Sequence, residues 1–144
     1  MTKLPDRVDR DVVVIGGCGH VGLPLALAFA DRGLRVVIYD LSVAAVEMVN
    51  AGRLPFAEQG AEEVLARVLA AGRLVASTDP AVVGSATHVV VVIGTPVDEH
   101  LNPDQGAITK ALGRCAGFLR DGQLLILRST VFPGVTALVE KMVA

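Results

Sequence analysis

The sequence predicts an α/β fold in which a doubly wound parallel sheet is covered by helices on both faces. Short, continuous apolar runs alternate along the chain with segments of helical periodicity, which is typical of buried parallel strands joined by helices. Hydrophobic residues make up 52% of the 144 residues but aromatic residues only 3%, so Val, Leu, Ile and Ala must build the core. Right-handed crossovers then favour the strand order 3-2-1-4-5.

The first half of the chain predicts three strands and three helices. Residues 12–15, 34–39 and 74–77 are short apolar runs that indicate strands one to three. A helix should follow the first strand and end near Gly33, and another should run from about Ser42 to residues 50–52. A third helix is expected before Gly72. The residues that share an apolar helical face are Val21, Leu25, Ala28 and Phe29 in the first helix, and Val64, Leu65, Val68 and Leu69 in the third.

The second half predicts two more strands, at 89–93 and 124–127. Asp79 can cap a brief helix that has Pro80 in its first turn. Two longer helices are indicated by apolar residues at helical spacing, Ile108, Leu112, Cys115 and Leu119 in one and Val135, Leu138, Val139 and Met142 in the other. A fold of this kind normally has a sixth strand, which we expect to be missing here. Residues 1–10 are expected to form a polar tail and residues 11–144 an incomplete domain.

The segment between the first strand and the first helix contains the motif Gly17-x-Gly19-x-x-Gly22. Directly after a strand and at the start of a helix, this spacing predicts a loop that binds a dinucleotide. Gly17 would permit a sharp turn, Gly19 would let the backbone approach a pyrophosphate, and Gly22 would let the helix pack closely on the strand. Backbone N–H groups at the helix start and the helix dipole would then meet the phosphate oxygens.

Asp40 ends the second strand, where a carboxylate can accept hydrogen bonds from the ribose hydroxyls of the adenosine half. Its charge would favour NAD over NADP, because a 2′-phosphate would be repelled. Two other interpretations stay open. The glycines could form a simple strand-to-helix turn that binds nothing, or the loop could belong to a methyltransferase.

The composition limits which partners and which cellular compartment are expected for this chain. The net charge of −2 gives no electrostatic reason to expect nucleic acid or an anionic membrane surface. The polar N-terminal stretch contains no apolar signal core, so a cytoplasmic location is expected. Cys18 and Cys115 have no metal-binding spacing, and no metal site is predicted. Cys18 lies inside the glycine loop and is not assigned the role of a nucleophile.

Four stretches together resemble the UDP-glucose/GDP-mannose dehydrogenase family, the nucleotide-sugar 6-dehydrogenases. They are "GCGHVGLPLALAFA" (17–30), "GRLPFAEQG" (52–60), "VVVVIGTPVDEHLNPD" (89–104) and "LRSTVFPGVT" (127–136), and they occur in the family's order across nearly the whole chain. The sequence Thr-Pro-Val-Asp-Glu at residues 95–99 is most similar to that of the family branch that acts on UDP-N-acetylmannosamine.

The resemblance implies a Rossmann domain that binds NAD. The positions that would bind the cofactor are Gly17, Cys18, Gly19, His20, Val21, Gly22, Asp40, Gly94, Thr95, Pro96, Ser129 and Thr130. Thr130 would also help to order the catalytic water. By the same resemblance, the family oxidises the C6 alcohol of a nucleotide sugar to a uronic acid with two NAD, and the full-length form is expected to be a homo-oligomer.

The family's catalytic cysteine and its lysine, asparagine and acidic partners would all follow this chain's last residue. The chain is therefore expected to be an oxidoreductase fragment, inactive alone, that meets its nucleotide-sugar substrate through a C-terminal domain absent from the chain. Two alternatives remain: a stand-alone NAD-binding module without catalysis, and a fragment of a hydroxyacid β-dehydrogenase.

Overall fold

The computed structural model describes residues 9–93, 107–128 and 134–143. They form a parallel sheet of five strands in the order β3-β2-β1-β4-β5. The strands are β1 (Arg10–Ile15), β2 (Val36–Tyr39), β3 (Leu74–Ser77), β4 (Ala86–Val91) and β5 (Leu124–Leu127). The predicted fold class and strand order are confirmed.

Helices cover both faces of this sheet. On one face lie α1 (Gly22–Asp31), α2 (Val43–Asn50) and α3 (Ala61–Ala70). On the other lie a short 3-10 helix (Pro80–Ser85), α4 (Ala107–Cys115), a 3-10 turn (Ala116–Phe118) and α5 (Val135–Val143). Two apolar cores result, one on each side of the sheet.

The central strand β1 explains why the apolar runs are continuous. Val14 points into the core beneath α1 and α3, whereas Val13 and Ile15 point into the core beneath α4. All three side chains are fully buried because successive residues of a strand face opposite sides and both sides are covered.

The face that α1 buries differs from the predicted one. Val21 precedes the helix and is 51% exposed, whereas Gly22, Ala26 and Ala30 lie against the sheet together with Leu23 and Leu27. The three small residues are four residues apart and lie on the buried side of the helix, and Gly22 also lets the helix begin directly against the glycine loop. The predicted stripe through Val21 and Ala28 is therefore wrong.

Several element boundaries also differ. Strand β1 begins at Arg10 rather than residue 12, β2 begins at Val36 rather than residue 34, and β4 ends at Val91 rather than residue 93. Strand β4 begins at Ala86 rather than residue 89, because its backbone pairs with β1 from the Arg10–Ala86 pair onward, whatever the polarity of the side chains. Helix α4 ends at Cys115, and Leu119 lies in extended backbone after the 3-10 turn rather than in the helix. The predicted cap is confirmed, since an Asp79 carboxylate oxygen accepts a hydrogen bond from the Ala81 N–H at 3.0 Å.

Strand β3 forms one edge of the described sheet, and the side chain of Asn50 pairs with it. The Asn50 amide nitrogen donates to the Ala76 carbonyl at 2.8 Å, and its amide oxygen accepts from the Ala76 N–H at 2.9 Å. Asn50 is the last residue of α2, so the end of this helix supplies the hydrogen bonds that another strand would make at Ala76.

Candidate functional site

The site begins at the carboxyl end of β1, where residues 16–21 connect the strand to α1. The sharp turn lies at Gly16, whose φ of +82° favours glycine, and not at Gly17 as predicted. A Cβ at Gly16 would collide with the carbonyl oxygen of Val92. A Cβ at Gly17 would lie 2.7 Å from a methyl carbon of Ile38, so Gly17 allows the loop to pack on β2.

The other two motif glycines have different surroundings. A Cβ at Gly22 would collide with the Gly16 carbonyl oxygen and lie 2.8 Å from the Gly17 Cα, so Gly22 lets α1 begin directly against the loop, as predicted. At Gly19 the nearest atom, the Gly16 oxygen, would be 3.5 Å away, which is ordinary contact. The space at Gly19 is thus open, as a backbone approach by a ligand would require.

The amino end of α1 presents its dipole to this open space. Val21 makes no side-chain cap, and the first turn of α1 contains no acidic residue. The turn is held by backbone hydrogen bonds, from the Leu23 N–H to the Gly19 oxygen at 3.0 Å and from the Gly19 N–H to the Gly16 oxygen at 3.3 Å. A helix start without a carboxylate of its own favours an anion from outside.

Asp40 follows β2 and joins the loop to the neighbouring strand. One carboxylate oxygen accepts a hydrogen bond from the Cys18 N–H at 3.1 Å, and the other accepts from the Ser42 N–H at 3.0 Å. An ionised carboxylate offers about four lone-pair positions, so each oxygen can accept a further hydrogen bond from a ligand hydroxyl.

Neither cysteine is suited to nucleophilic chemistry. Burial, with a smaller contribution from the charge of Asp40, raises the pKa of Cys18 to about 12. Burial also raises the pKa of Cys115, whose side chain lies in the core beneath α4. Both thiols are therefore protonated at neutral pH.

A cavity of about 110 Å³ adjoins Asp40 on the side of the sheet covered by α4. It is lined by Ile15, Gly16, Tyr39, Asp40, Leu41, Ile93, Ala111 and Arg114. Except for Gly16, Asp40 and Arg114, these residues have largely apolar side chains. Sequence reasoning missed Arg114 and the cavity, although Ala111 and Arg114 directly precede the buried Leu112 and Cys115 of α4 and so border the buried face of the helix.

A second contact was not predicted. The ring of His20, in the glycine loop, packs on the ring of Phe56 with centroids 4.2 Å apart and planes inclined at 31°. Phe56 lies between α2 and α3, so this contact joins that segment to the loop. His20 itself is exposed.

The predicted site residues fall into two groups. The structure brings residues 17–22 together with Asp40 at the carboxyl ends of β1 and β2. Gly94, Thr95, Pro96, Ser129 and Thr130 lie outside the described residues, and their roles stay predictions. Within the described ranges, no three His, Cys, Asp or Glu side chains are placed to hold a metal ion, and no helix is long and apolar enough to cross a membrane.

Comparison with known proteins identifies the same kind of domain. Residues 10–144 match the sequence profile of the UDP-glucose/GDP-mannose dehydrogenase family, NAD binding domain. Over 126 residues the chain is 32% identical to a UDP-N-acetyl-D-mannosamine dehydrogenase of Yersinia pestis, covering 88% of this chain and 29% of that protein. Over 129 residues it is 34% identical to a GDP-mannose 6-dehydrogenase of Pseudomonas syringae pv. tomato, covering 87% of this chain and 30% of that protein.

Solved structures agree with the sequence comparison. A GDP-mannose dehydrogenase of Pseudomonas aeruginosa, determined as a ternary complex, superposes with a TM-score of 0.82 at 28% identity, covering 91% of this chain and 32% of that one. A UDP-glucose dehydrogenase of Pyrobaculum islandicum gives a TM-score of 0.81 at 29% identity, covering 99% and 35%. The chain thus spans about a third of the length of the proteins it matches.

Proposed function

This chain belongs to the UDP-glucose/GDP-mannose dehydrogenase family, whose NAD-binding domain it matches, and on that premise we propose how its residues hold NAD and what reaction the domain serves. The cofactor is NAD. The glycine loop and the amino end of α1 hold the pyrophosphate, because the loop is open at Gly19 and the helix start has no carboxylate of its own.

One observation carries the proposal. The Asp40 carboxylate is fixed by the N–H groups of Cys18 and Ser42, which places it between the glycine loop and the end of β2. A carboxylate held there accepts hydrogen bonds from the adenosine ribose, and the adjoining cavity takes the adenine. The glycine contacts support the same reading, since side chains at Gly16, Gly17 and Gly22 would all meet neighbouring atoms at short range.

The reaction we propose for the whole protein is the oxidation of the C6 alcohol of a UDP-sugar to the uronic acid. When bound, NAD accepts a hydride in each of the two oxidations, and water supplies the second carboxylate oxygen. The substrate of this chain's protein would be a UDP-N-acetylhexosamine, as the name of the Yersinia pestis relative suggests. Gly94, Thr95 and Pro96 would border the cofactor's second half, and Ser129 and Thr130 would lie near the nicotinamide, with Thr130 helping to order the water.

By itself, the chain binds NAD without turnover. Hydride transfer needs a base for the alcohol proton, and the second oxidation, by the resemblance, needs a thiolate beside the aldehyde. Cys18 does not supply a thiolate, because its pKa is raised to about 12 and its side chain is buried within the glycine loop. The remaining groups, and the homo-oligomer in the cytoplasm that we expect for the full-length form, would belong to the longer protein.

The two alternatives make different predictions. A stand-alone module would bind NAD with no catalytic partner, and catalytic-domain sequence directly downstream in the encoding DNA would count against it. The hydroxyacid β-dehydrogenase alternative is disfavoured by the family match. A 3-hydroxybutyryl-CoA dehydrogenase of Ralstonia eutropha superposes with a TM-score of 0.55 at 23% identity, which reflects the fold alone.

The proposal is tested with chain of verified mass. Titration calorimetry measures NAD binding, and NADH absorbance is followed with UDP-glucose, UDP-N-acetylmannosamine and GDP-mannose. We expect NAD binding and no absorbance change. Steady NADH formation that persists in Cys18→Ala would overturn the inactivity of the chain, and failure to bind NAD would overturn the assigned role of the loop and Asp40.

A further inference from the structure

The cavity beside Asp40 has one wall that the dinucleotide motif does not supply. Ile15 and Gly16 come from the end of β1 and the loop, and Tyr39 to Leu41 come from the end of β2, but Ala111 and Arg114 come from α4. Of all the lining residues, only Asp40 and Arg114 carry a formal charge at neutral pH. Arg114 therefore lines the same small space as the carboxylate assigned to the ribose.

We propose that Arg114 closes this cavity by laying its guanidinium on the exposed face of the adenine, and that it contributes to the affinity for the adenine half of the cofactor. This inference rests on the proposed function, because the base must follow the ribose that Asp40 binds. The apolar side chains of Ile15, Ile93 and Ala111 suit a flat, uncharged ring, whereas a phosphate would lose its hydration among them.

Helix α4 holds Arg114 at this place. Ile108, Leu112 and Cys115 are buried in the core, which fixes the rotation of the helix about its axis. Ala111, one turn before Arg114, is small and leaves room along the cavity wall. Arg114 is exposed, and neither of the two ion pairs in the described parts of the chain involves it.

The electrostatics of Tyr39 support the position of Arg114. Tyr39 forms part of the cavity wall, and its pKa is raised, first by burial and then by Cys115, while the charge of Arg114 acts in the opposite direction. The guanidinium thus lies near enough to the carboxyl end of β2 to act on a group there.

A planar guanidinium has a property that other cations lack. It stacks on aromatic faces and is weakly hydrated, whereas a lysine ammonium is a compact and strongly hydrated charge. A stacked cation contributes roughly 0.5 to 2 kcal/mol, increasing as water is excluded, which corresponds to about a twofold to thirtyfold change in affinity. Stacking therefore predicts that Arg114→Lys does not restore what Arg114→Ala loses.

The experiment compares Arg114→Ala and Arg114→Lys with the matched control Arg32→Ala, which removes an equal charge at the far end of α1. Calorimetry measures the affinity for NAD, NADP and ADP, and circular dichroism with thermal melts confirms folding. We expect both Arg114 variants to bind NAD and ADP about twofold to thirtyfold more weakly than wild type, and Arg32→Ala to match wild type.

Three results would overturn the inference while leaving the proposed function standing. They are unchanged NAD and ADP affinity in Arg114→Ala, full recovery in Arg114→Lys, which would indicate charge attraction alone, and a loss confined to NADP, which would indicate a phosphate contact. If wild type binds neither NAD nor ADP, the proposed function itself fails, and the inference fails with it.

Discussion

Replacing Asp40 tests the cofactor preference most directly. Each carboxylate oxygen of Asp40 already accepts one backbone N–H, at 3.1 Å from Cys18 and 3.0 Å from Ser42, and so retains about one further lone-pair position for a ribose hydroxyl. A hydrogen bond to a charged group contributes about 1.5–3 kcal/mol. NADP replaces the 2′-hydroxyl with a phosphate and loses at least one such bond, so wild type should bind NAD roughly tenfold or more tightly than NADP.

Asp40→Asn separates charge from shape. Asparagine has one acceptor oxygen instead of two, and its NH₂ group would face either the Cys18 or the Ser42 N–H, so one of the two hydrogen bonds is lost. We expect weaker NAD binding, a preference reduced to within about threefold, and a lower melting temperature. Calorimetry with both cofactors measures the preference, and Asp121→Asn, an exposed site after the 3-10 turn, is the matched charge control. Equal affinities of the wild-type chain for NAD and NADP would refute the reasoning.

Three further outcomes follow from the geometry. Gly22→Ala should lower the free energy of unfolding by about 1–3 kcal/mol in urea titrations, because its Cβ meets the backbone of the loop, whereas Gly19→Ala should change it by less than about 0.5 kcal/mol yet weaken NAD binding. Equal stability losses in the two variants would contradict these roles. Cys18, with its pKa raised to about 12, should react slowly with a thiol reagent at pH 8 in the native chain and rapidly in guanidinium; fast native labelling would argue against its burial. Asn50→Ala should cost about 1–3 kcal/mol of stability, since two hydrogen bonds to Ala76 are lost, and a change too small to measure would mean that water replaces them.

The local sequence pattern was sufficient to predict features that depend on one short segment of the chain. The bounds of β3 and β5 agree with the predicted 74–77 and 124–127, because Gly72 and Gly122 adopt positive φ just before them and mark the turns. The position of Asp40 after β2 could be predicted for the same reason, since it needs only the end of a strand.

Features that depend on distant contacts were not predictable from the pattern. Leu25 and Leu27 offer α1 two overlapping apolar faces, and the choice depends on how closely Gly22 approaches Gly16, a contact between backbones. The turn was assigned to Gly17 because the motif begins there, but the carbonyl of Val92 from the neighbouring strand's end places the constraint on Gly16. Arg114 lines the same cavity as Asp40 only because β4 lies beside β1. This strand order places α4 next to the carboxyl ends of β1 and β2.

The pairing of Asn50 with β3 makes the two edges of the described sheet differ in the backbone groups that they leave free. At the opposite end of the described strands, β5 has two exposed apolar side chains, Leu124 at 56% and Ile126 at 38%. If copies could pair the β5 edge of one sheet with the β3 edge of the next, each added copy would leave a new free edge. Association would then continue head to tail into an open filament. Because Asn50 already pairs with the Ala76 backbone groups, β3 does not offer these groups to an added strand. A contact between two copies through β5 alone would use the same surface on both molecules, have twofold symmetry and stop at a pair, so the Asn50 side chain favours closed over open association through this sheet.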